Sequence, residues 1–392
     1  MDVGIAAGRI AGVAPRLDAR APREIDAEGN LAMPAFVEPH IHLDKALTAD
    51  RAADSATNYF EDAIRVMRDV KRAYTVDDVA ARATEVIHAL VGYGVGFVRS
   101  YVDVDSIVGL RALEGVLRAR ERCRGLARVE LIAFPQEGIL ADPGTADLMA
   151  RAMERGADVV GGMPFAEALE EESRRHTDLV FELARRYDRD VQMHVDESDD
   201  PGARTLEYVA VKALREERPG RVTADHVTAL AAYDAVYAAK IVDLVARARI
   251  NVVTLPTKLM RGGIRDREPR RRGITRVKEL LAAGVNVAYG QDVIRDGFLR
   301  VFGTGDPLQT GFLLAFAAQL ATHADVETLA DMATVNGARI MRRPDYGLAV
   351  GCRGDLVVIA APSVQEAYRT QPARLAVIHG GRVVAERGRV TG

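Results

Sequence analysis

Cysteine is scarce in this sequence. Among 392 residues only Cys123 and Cys352 occur, far apart and outside any C-x-x-C motif. Neither a disulfide framework nor a thiolate zinc site is therefore indicated, and we expect a cytoplasmic protein. No basic leader with an apolar stretch opens the sequence, and no run of about 18 apolar residues occurs in it. We therefore expect neither a membrane-spanning segment nor secretion by that route.

An excess of charge of either sign is also missing, because 53 basic and 56 acidic residues give a formal net charge of -3. This balance provides no global attraction for a phosphate backbone, so nucleic acid is not an expected partner. The hydrophobic fraction of 48% is that of an ordinary globular protein. The arginine-rich stretch 261–276 is interpreted as a solvated loop. A lid over the site or a subunit contact is the alternative for this stretch.

Short β-branched runs alternate with amphipathic helical stretches through the middle of the chain. The eight candidate strands are FVEPHIH, GFVRSYVDV, RVELIAF, ADVVGG, DVQMHVDE, RVTADH, INVVTL and NVAYGQD. Eightfold alternation of strand and helix predicts an α/β protein whose residues 35–343 form a (β/α)8 TIM barrel. A doubly wound fold is the alternative, but no G-x-G-x-x-G motif follows the first strand.

Both ends of the chain show brief apolar runs with glycine turns, which are typical of short strands. The last of these, LAVIHGGRVVAERG, predicts a hairpin that turns at Gly380-Gly381. We therefore expect residues 1–34 and 344–392 to pair into one small β-sandwich domain.

The most informative pair of residues is His40 and His42, at the end of the first predicted barrel strand. Side chains at positions i and i+2 of a strand lie on the same face, so both imidazoles would point into the barrel mouth. Such an arrangement is typical of metal ligands. The alternative is a pair of exposed strand histidines, which the preceding apolar residues disfavour.

Other potential ligands end later predicted strands, and barrel active sites form at these strand ends. They are His194, Glu197, His226 and Asp292. Together with His40 and His42, four of the eight histidines thus fall at the ends of predicted strands. The remaining four are interpreted as surface or packing residues: His88, His176, His323 and His379.

Neutral imidazoles and one carboxylate suit zinc or ferrous iron, with one position left for water. A bound metal lowers the pKa of water from 15.7 towards ~7, so that hydroxide can attack an electron-poor ring carbon. Glu197 is placed to deliver a proton to the departing nitrogen. No lysine occurs between Lys71 and Lys212, where a metal-bridging carbamylated lysine would be expected. One divalent ion is therefore favoured over two.

Beyond these positions, several segments resemble the amidohydrolase superfamily, and specifically its bacterial cytosine deaminase branch. The similar segments are 34–45, AFPQEGIL, ADVVGG, HVDESDD, RRGITRVKELL and DYGLAVGCRGDLVV. The resemblance implies four metal ligands: His40, His42, His194 and Asp292. It also implies that Gln136 binds a ring amide, Glu197 protonates a ring nitrogen and His226 orients the hydroxide. Asp292 would additionally accept a proton from the attacking water.

The sequence departs from that branch at several positions near the expected substrate. Val293 replaces a second aspartate, Gln291 replaces a histidine, and Tyr101 replaces another histidine. Phe298 corresponds to a tryptophan and could stack on a planar ring, or it could be a core residue. Lys45 belongs to the shared motif and has two interpretations, a structural ion pair or a catalytic group.

These observations predict a hydrolase that deaminates a cytosine-like heterocycle such as cytosine, isocytosine or a related aminopyrimidine. The alternative is an amidohydrolase that removes a substituted amine from an aminotriazine or opens a cyclic amide. A non-catalytic metal-binding barrel is the third hypothesis. Relatives are often oligomeric, so a homo-oligomer is expected, with a small heterocycle as the other partner.

Overall fold

The structure is a computed structural model that describes residues 1–52, 60–260, 273–298 and 302–391. Its strands are β1 (Asp2–Ala6), β2 (Arg9–Ala14), β3 (Leu31–Pro34), β4 (Phe36–His42), β5 (Val95–Asp103), β6 (Arg128–Phe134), β7 (Val159–Gly162), β8 (Asp190–Val195), β9 (Val222–His226), β10 (Asn251–Thr254), β11 (Val287–Tyr289), β12 (Leu356–Ile359), β13 (Arg374–His379), β14 (Arg382–Glu386) and β15 (Arg389–Val390).

The helices surround the central strands and follow them along the chain. They are α1 (Phe60–Arg72), α2 (Val76–Gly92), α3 (Arg111–Arg122), α4 (Thr145–Arg155), α5 (Glu170–Arg186), α6 (Thr205–Arg215), α7 (Ala235–Arg247), α8 (Val277–Ala282), α9 (Pro307–Ala318), α10 (His323–Met332), α11 (Val335–Ile340) and α12 (Val364–Thr370).

Strands β4 to β11 form one eight-stranded parallel sheet in chain order. Its two edges meet through a bridge between Ile41 and Asp292. The backbone N–H of His42 donates to the carbonyl of Asp292 at 2.9 Å, and the N–H of Asp292 donates to the carbonyl of His40 at 2.9 Å. The sheet therefore curls into a nearly closed barrel, and the predicted α/β barrel is confirmed.

The helices cover the barrel with apolar faces, as α2 illustrates. Thr75 caps its first turn by accepting a hydrogen bond from the N–H of Asp78. Val79, Ile87 and Leu90 follow at helical spacing and are completely buried in the main core. Within the described ranges, no helix combines the length and the apolarity that crossing a bilayer would require.

The two ends of the chain form antiparallel sheets beside the barrel. β1 pairs with β2, and β3 joins a five-stranded sheet in the order β15-β14-β13-β12-β3. The two sheets share a small apolar core that includes Ile10, Leu356 and Ile378. The predicted hairpin turn is present at Gly380 and Gly381, whose φ values are 56° and 78°. We propose residues 1–34 with 344–392 as one domain and 35–343 as the other.

Candidate active site

Site residues come from the carboxyl ends of four barrel strands. His40 and His42 end β4, His194 lies in β8, His226 ends β9 and Asp292 follows β11. His226 and Asp292 have φ values of 66° and 68°, which side-chain-bearing residues seldom adopt. Strained backbone of this kind is common at functional sites. Here both residues belong to the cluster that could hold a metal ion.

The histidine rings surround the Asp292 carboxylate. Its Oδ1 lies 3.2 Å from His40 Nε2 and 3.4 Å from His42 Nε2. The His194 ring lies between the others, 4.7 Å from His40 and 4.6 Å from His226 between ring centroids. Potential ligand atoms of His40, His194, His226 and Asp292 all lie within 4.8 Å of one another. Four residues distant in sequence therefore converge on one point.

A second carboxylate, that of Asp225, contacts the cluster through His40. Its Oδ2 accepts hydrogen bonds from His40 Nδ1 at 2.6 Å, the Tyr101 hydroxyl at 2.7 Å and Gln192 Nε2 at 2.8 Å. A carboxylate that receives the Nδ1 proton leaves the Nε2 lone pair of His40 facing Asp292. Asp225 is not among the site residues predicted from the sequence, although it directly precedes His226. Tyr101, the replacement for a histidine, thus contributes to orienting a candidate ligand.

Burial keeps three of the histidines neutral. It lowers the pKa of His194 and of His226 well below the usual value, and burial with the nearby Lys45 charge lowers the pKa of His42 to about 3. Burial also lowers the pKa of His40, but the Asp225 and Asp292 carboxylates outweigh it and raise that pKa to about 9. His40 therefore lies where the surrounding carboxylates favour a positive charge.

The donor set fits a divalent cation. His40 Nε2, His194 Nδ1 and His226 Nε2 are buried, and none forms a hydrogen bond with the described part of the chain. Burial raises the pKa of Asp292, but the Lys258 charge and the hydrogen bond from His40 outweigh this effect. The pKa of Asp292 is therefore well below its usual value, and the carboxyl is held ionised. Imidazole nitrogens with one carboxylate are ligands that suit zinc or ferrous iron.

Glu197 and Lys258 form an ion pair at the edge of this cluster. Lys258 Nζ lies 2.8 Å from Glu197 Oε1 and 3.3 Å from Asp292 Oδ2. On its other side, Glu197 Oε2 lies 3.5 Å from His226 Nε2. Burial raises the pKa of Glu197, and Lys258 opposes that shift. Lys258 lies in a short turn after β10 and is not among the site residues predicted from the sequence.

Lys45 and Gln136 lie on the opposite side of the pocket. Lys45 Nζ donates to Gln136 Oε1, pairs with Asp103 Oδ1 at 3.0 Å and lies 3.3 Å from His42 Nδ1. Lys45 therefore forms an ion pair and also lines the pocket. It has features both of a structural ion pair and of a residue that could act in catalysis, the two interpretations drawn from the sequence. Gln136 lies 6% exposed between Lys45 and Met163.

The pocket itself encloses only about 10 Å³, roughly the volume that one water occupies. It is lined by His42, Lys45, Gln136, His194, Glu197, Lys258, Asp292, Val293 and Phe298. Phe298 is 6% exposed and lies beneath both ammonium groups, with Lys258 Nζ 4.9 Å and Lys45 Nζ 5.8 Å from its ring centroid. A larger cavity of about 310 Å³ lies elsewhere, among Arg9, Arg353 and His379, and contains none of these groups.

The structure brings together every site residue predicted from the sequence. Two histidines interpreted as packing residues pair with carboxylates away from the cluster. His176 lies buried 2.6 Å from Glu167, and the partly buried His379 lies 3.2 Å from Asp355. The lid or subunit contact considered for 261–276 lies outside the described residues, except for 273–276.

Known proteins are similar to this chain in sequence and in structure. The model of the Amidohydrolase family matches residues 47–385. The crystal structure of 5-methylcytosine deaminase from Klebsiella pneumoniae liganded with 5-fluorocytosine is similar at 35% identity and a TM-score of 0.94, covering 98% of this chain and 94% of that one.

Two curated proteins are similar over almost the whole chain. N-isopropylammelide isopropyl amidohydrolase of Pseudomonas sp. (strain ADP) is 30% identical, covering 98% of this chain and 93% of the relative. Pterin deaminase of Rhizobium rhizogenes (strain K84 / ATCC BAA-868) is 30% identical, covering 98% and 87%. The chain therefore belongs to the amidohydrolase family and is a hydrolase that acts on C–N bonds.

Proposed function

We propose that this protein is a metal-dependent deaminase that hydrolyses a cytosine-like heterocycle and releases ammonia. The observation that carries this proposal is the cluster of four imidazoles around Asp292, beside a pocket that Glu197 and Gln136 line. Similarity to 5-methylcytosine deaminase over nearly the whole chain supports the choice of a pyrimidine.

We propose that one divalent ion, zinc or iron, is bound by His40, His42, His194 and Asp292. When bound, such an ion supplies the Lewis acidity that makes water nucleophilic near neutral pH. One observation favours a second ligand set in which His226 replaces His42. An ammonium only donates hydrogen bonds, so the contact of Lys45 with His42 Nδ1 favours a lone pair there and a proton on His42 Nε2.

In the proposed mechanism, protein side chains orient the ring and move two protons. Gln136 binds a ring amide, and Phe298 packs against the ring face. Asp292 accepts a proton from the attacking water while His226 orients that water. Glu197 delivers a proton to a ring nitrogen, a role that its raised pKa supports because burial favours the protonated carboxyl. After water has added at the ring carbon, the proton held by Asp292 passes to the amino nitrogen, the C–N bond breaks and ammonia leaves. The proton of the added hydroxyl returns to Glu197, so the ring carries an oxo group and both carboxyl groups regain their initial states.

A second candidate keeps this mechanism but releases a substituted amine from an aminotriazine, or opens a cyclic amide. The observation that favours it is Val293, an apolar residue that lines the pocket beside Asp292. A valine cannot accept a hydrogen bond from an exocyclic amino group, whereas it can contact an alkyl substituent. The similarity to N-isopropylammelide isopropyl amidohydrolase supports the same alternative.

An ammonia- and amine-release screen over aminopyrimidines, aminotriazines and pterins, with zinc- and iron-loaded protein, tests these candidates. We expect ammonia from an aminopyrimidine. Release of an alkylamine from a substituted triazine alone would favour the second candidate. Bound metal without turnover of any ring would favour the third hypothesis, a non-catalytic metal-binding barrel. A cytoplasmic location and a homo-oligomer stay predictions, and light scattering of the purified protein would test the oligomer.

A further inference from the structure

We propose that the protein has a second ligand site, away from the candidate active site, that binds a phosphate group, either free or as part of a small organic molecule. The site is the cavity of about 310 Å³ among Arg9, Arg353 and His379, which Arg382 also lines. This inference goes beyond the proposed function, because it concerns none of the residues proposed for catalysis or metal binding.

The cavity lies at the amino-terminal end of the barrel. Gly125, on its wall, follows α3 and precedes β6. His379, another wall residue, has its ring centroid 6.2 Å from that of Phe97, the third residue of β5. The candidate metal ligands lie instead at the carboxyl ends of barrel strands. The two sites are therefore separate, and a ligand in the cavity does not contact the groups proposed for catalysis.

The lining of the cavity carries positive charge. Among the described residues that form it are three arginines and one histidine, and none of them is acidic. Asp355 lies nearby and pairs with Arg353 at 2.8 Å and with His379 at 3.2 Å. Arg9 Nη1 donates to the carbonyl of Gly351 at 2.7 Å. Within the described ranges neither Arg9 nor Arg382 pairs with a carboxylate, so two guanidinium charges are not balanced by an acid.

Pairing of the strands holds the four side chains in neighbouring positions. Arg382 is opposite His379 in the β13–β14 hairpin, and Arg9 forms a backbone bridge with Arg353. A guanidinium group donates hydrogen bonds in a planar fork that matches phosphate or carboxylate oxygens. A phosphate monoester carries about -1.5 to -2 charges at pH 7 and three acceptor oxygens. It would therefore balance both Arg9 and Arg382, whereas a carboxylate would balance only one of them.

Two glycine turns bring the walls of the cavity together. Gly8 lies between β1 and β2 with a φ of 75°, and a Cβ there would lie 3.1 Å from the carbonyl oxygen of Gly380. Gly380 has a φ of 56° in the turn between β13 and β14. The cavity volume is at the lower end of the range of small-molecule sites, about 300–1,000 Å³. A ligand held here would contact both terminal sheets, so its binding should stabilise the folded chain.

Calorimetry and thermal unfolding of the full-length, metal-loaded protein test this proposal. The probes are inorganic phosphate, glycerol phosphate and acetate, compared at equal ionic strength. We expect both phosphate probes to bind saturably and to raise the melting temperature, and acetate to do neither. The phosphate probe that binds more tightly identifies the source of the group, a free ion or an organic ester.

Arg9→Met and Arg382→Met should each weaken phosphate binding about 10-fold or more, the effect of losing hydrogen bonds from a charged donor. Arg382→Lys should retain part of the affinity. Arg389→Met is the matched control, because Arg389 is an exposed arginine of the same five-stranded sheet that does not line the cavity. It should leave the affinity unchanged. The melting temperature without ligand shows whether each variant is folded.

Three results would overturn the proposal. The first is an equal response to acetate, which would show an effect of ionic strength only. The second is an unchanged phosphate affinity in both Arg9→Met and Arg382→Met. The third is binding that both of these variants retain and that His194→Ala loses, which would place the phosphate at the candidate active site. Because none of these measurements needs turnover, failure of the proposed deaminase activity would leave this inference standing.

Discussion

Nδ1 of His40 lies 2.6 Å from Oδ2 of Asp225, in a completely buried contact. The same carboxylate oxygen is shared with Tyr101 and Gln192, so it is fixed from three directions. Asp225 thereby determines which nitrogen of His40 faces Asp292. Partners of this kind orient metal ligands and set their proton positions.

Asp225→Asn should weaken metal binding about 10- to 100-fold, the usual effect of losing such a partner. The amide NH₂ can donate to His40 Nδ1 and so favour the tautomer whose proton is on Nε2. Competition with a chromogenic chelator measures the affinity. Tyr101→Phe, which removes one of the three donors, should give a smaller loss. Unaltered affinity in Asp225→Asn would contradict this role.

Replacing His42 and His226 separately distinguishes the two ligand sets. We expect His42→Ala to deplete the metal and His226→Ala to retain it with reduced turnover. Metal analysis of dialysed protein gives the answer, and His194→Ala is the reference because it should deplete the metal under either set. The reverse pattern would show that His226, and not His42, is the ligand.

Glu197→Gln should keep a near-normal metal content and lower turnover by about 10²-fold or more, because the amide cannot deliver a proton. Steady-state kinetics on the preferred substrate, with metal analysis of the same sample, checks this. Glu207→Gln is the control, since Glu207 pairs with Lys240 and Tyr237 on the surface. Full activity in Glu197→Gln would remove Glu197 from the mechanism.

Asp78 provides a pH-dependent test of stability away from the site. Hydrogen bonds from Arg51 lower its pKa to about 2, although burial opposes the shift and Arg82 adds to it. Since the folded pKa lies below the unfolded value of 3.8, the stabilisation is present above about pH 4 and is lost as the pH falls towards 2.

Asp78→Asn should therefore lower the free energy of unfolding by ~1–2 kcal/mol at pH 6, and by progressively less below pH 4. Urea unfolding of both proteins between pH 6 and 3 measures the difference. Asp243→Asn is the control, because Asp243 forms an exposed pair with Arg247 and should have little effect at any pH. A loss of unfolding free energy in Asp78→Asn that becomes larger as the pH falls would contradict this prediction.

Much of the fold could be predicted because its signals are local. β-branched runs separated by amphipathic stretches gave eight strands, and all eight form the barrel. The H-x-H spacing placed His40 and His42 on one strand end, and the later ligand-type residues followed from the rule that barrel sites form at strand ends. Lys258 had no such signal, because it lies in a short turn with no periodic pattern.

The sequence by itself therefore determined the barrel, its closing strands and the set of residues that could bind a metal. These features depend on the alternation of side chains along single strands, which is a property of neighbouring residues. Only the tertiary structure decided that Asp225 holds His40, that Lys258 pairs with Glu197 and that Lys45 meets Gln136. Those three contacts join residues between 61 and 185 positions apart, so the curvature of the closed sheet sets them.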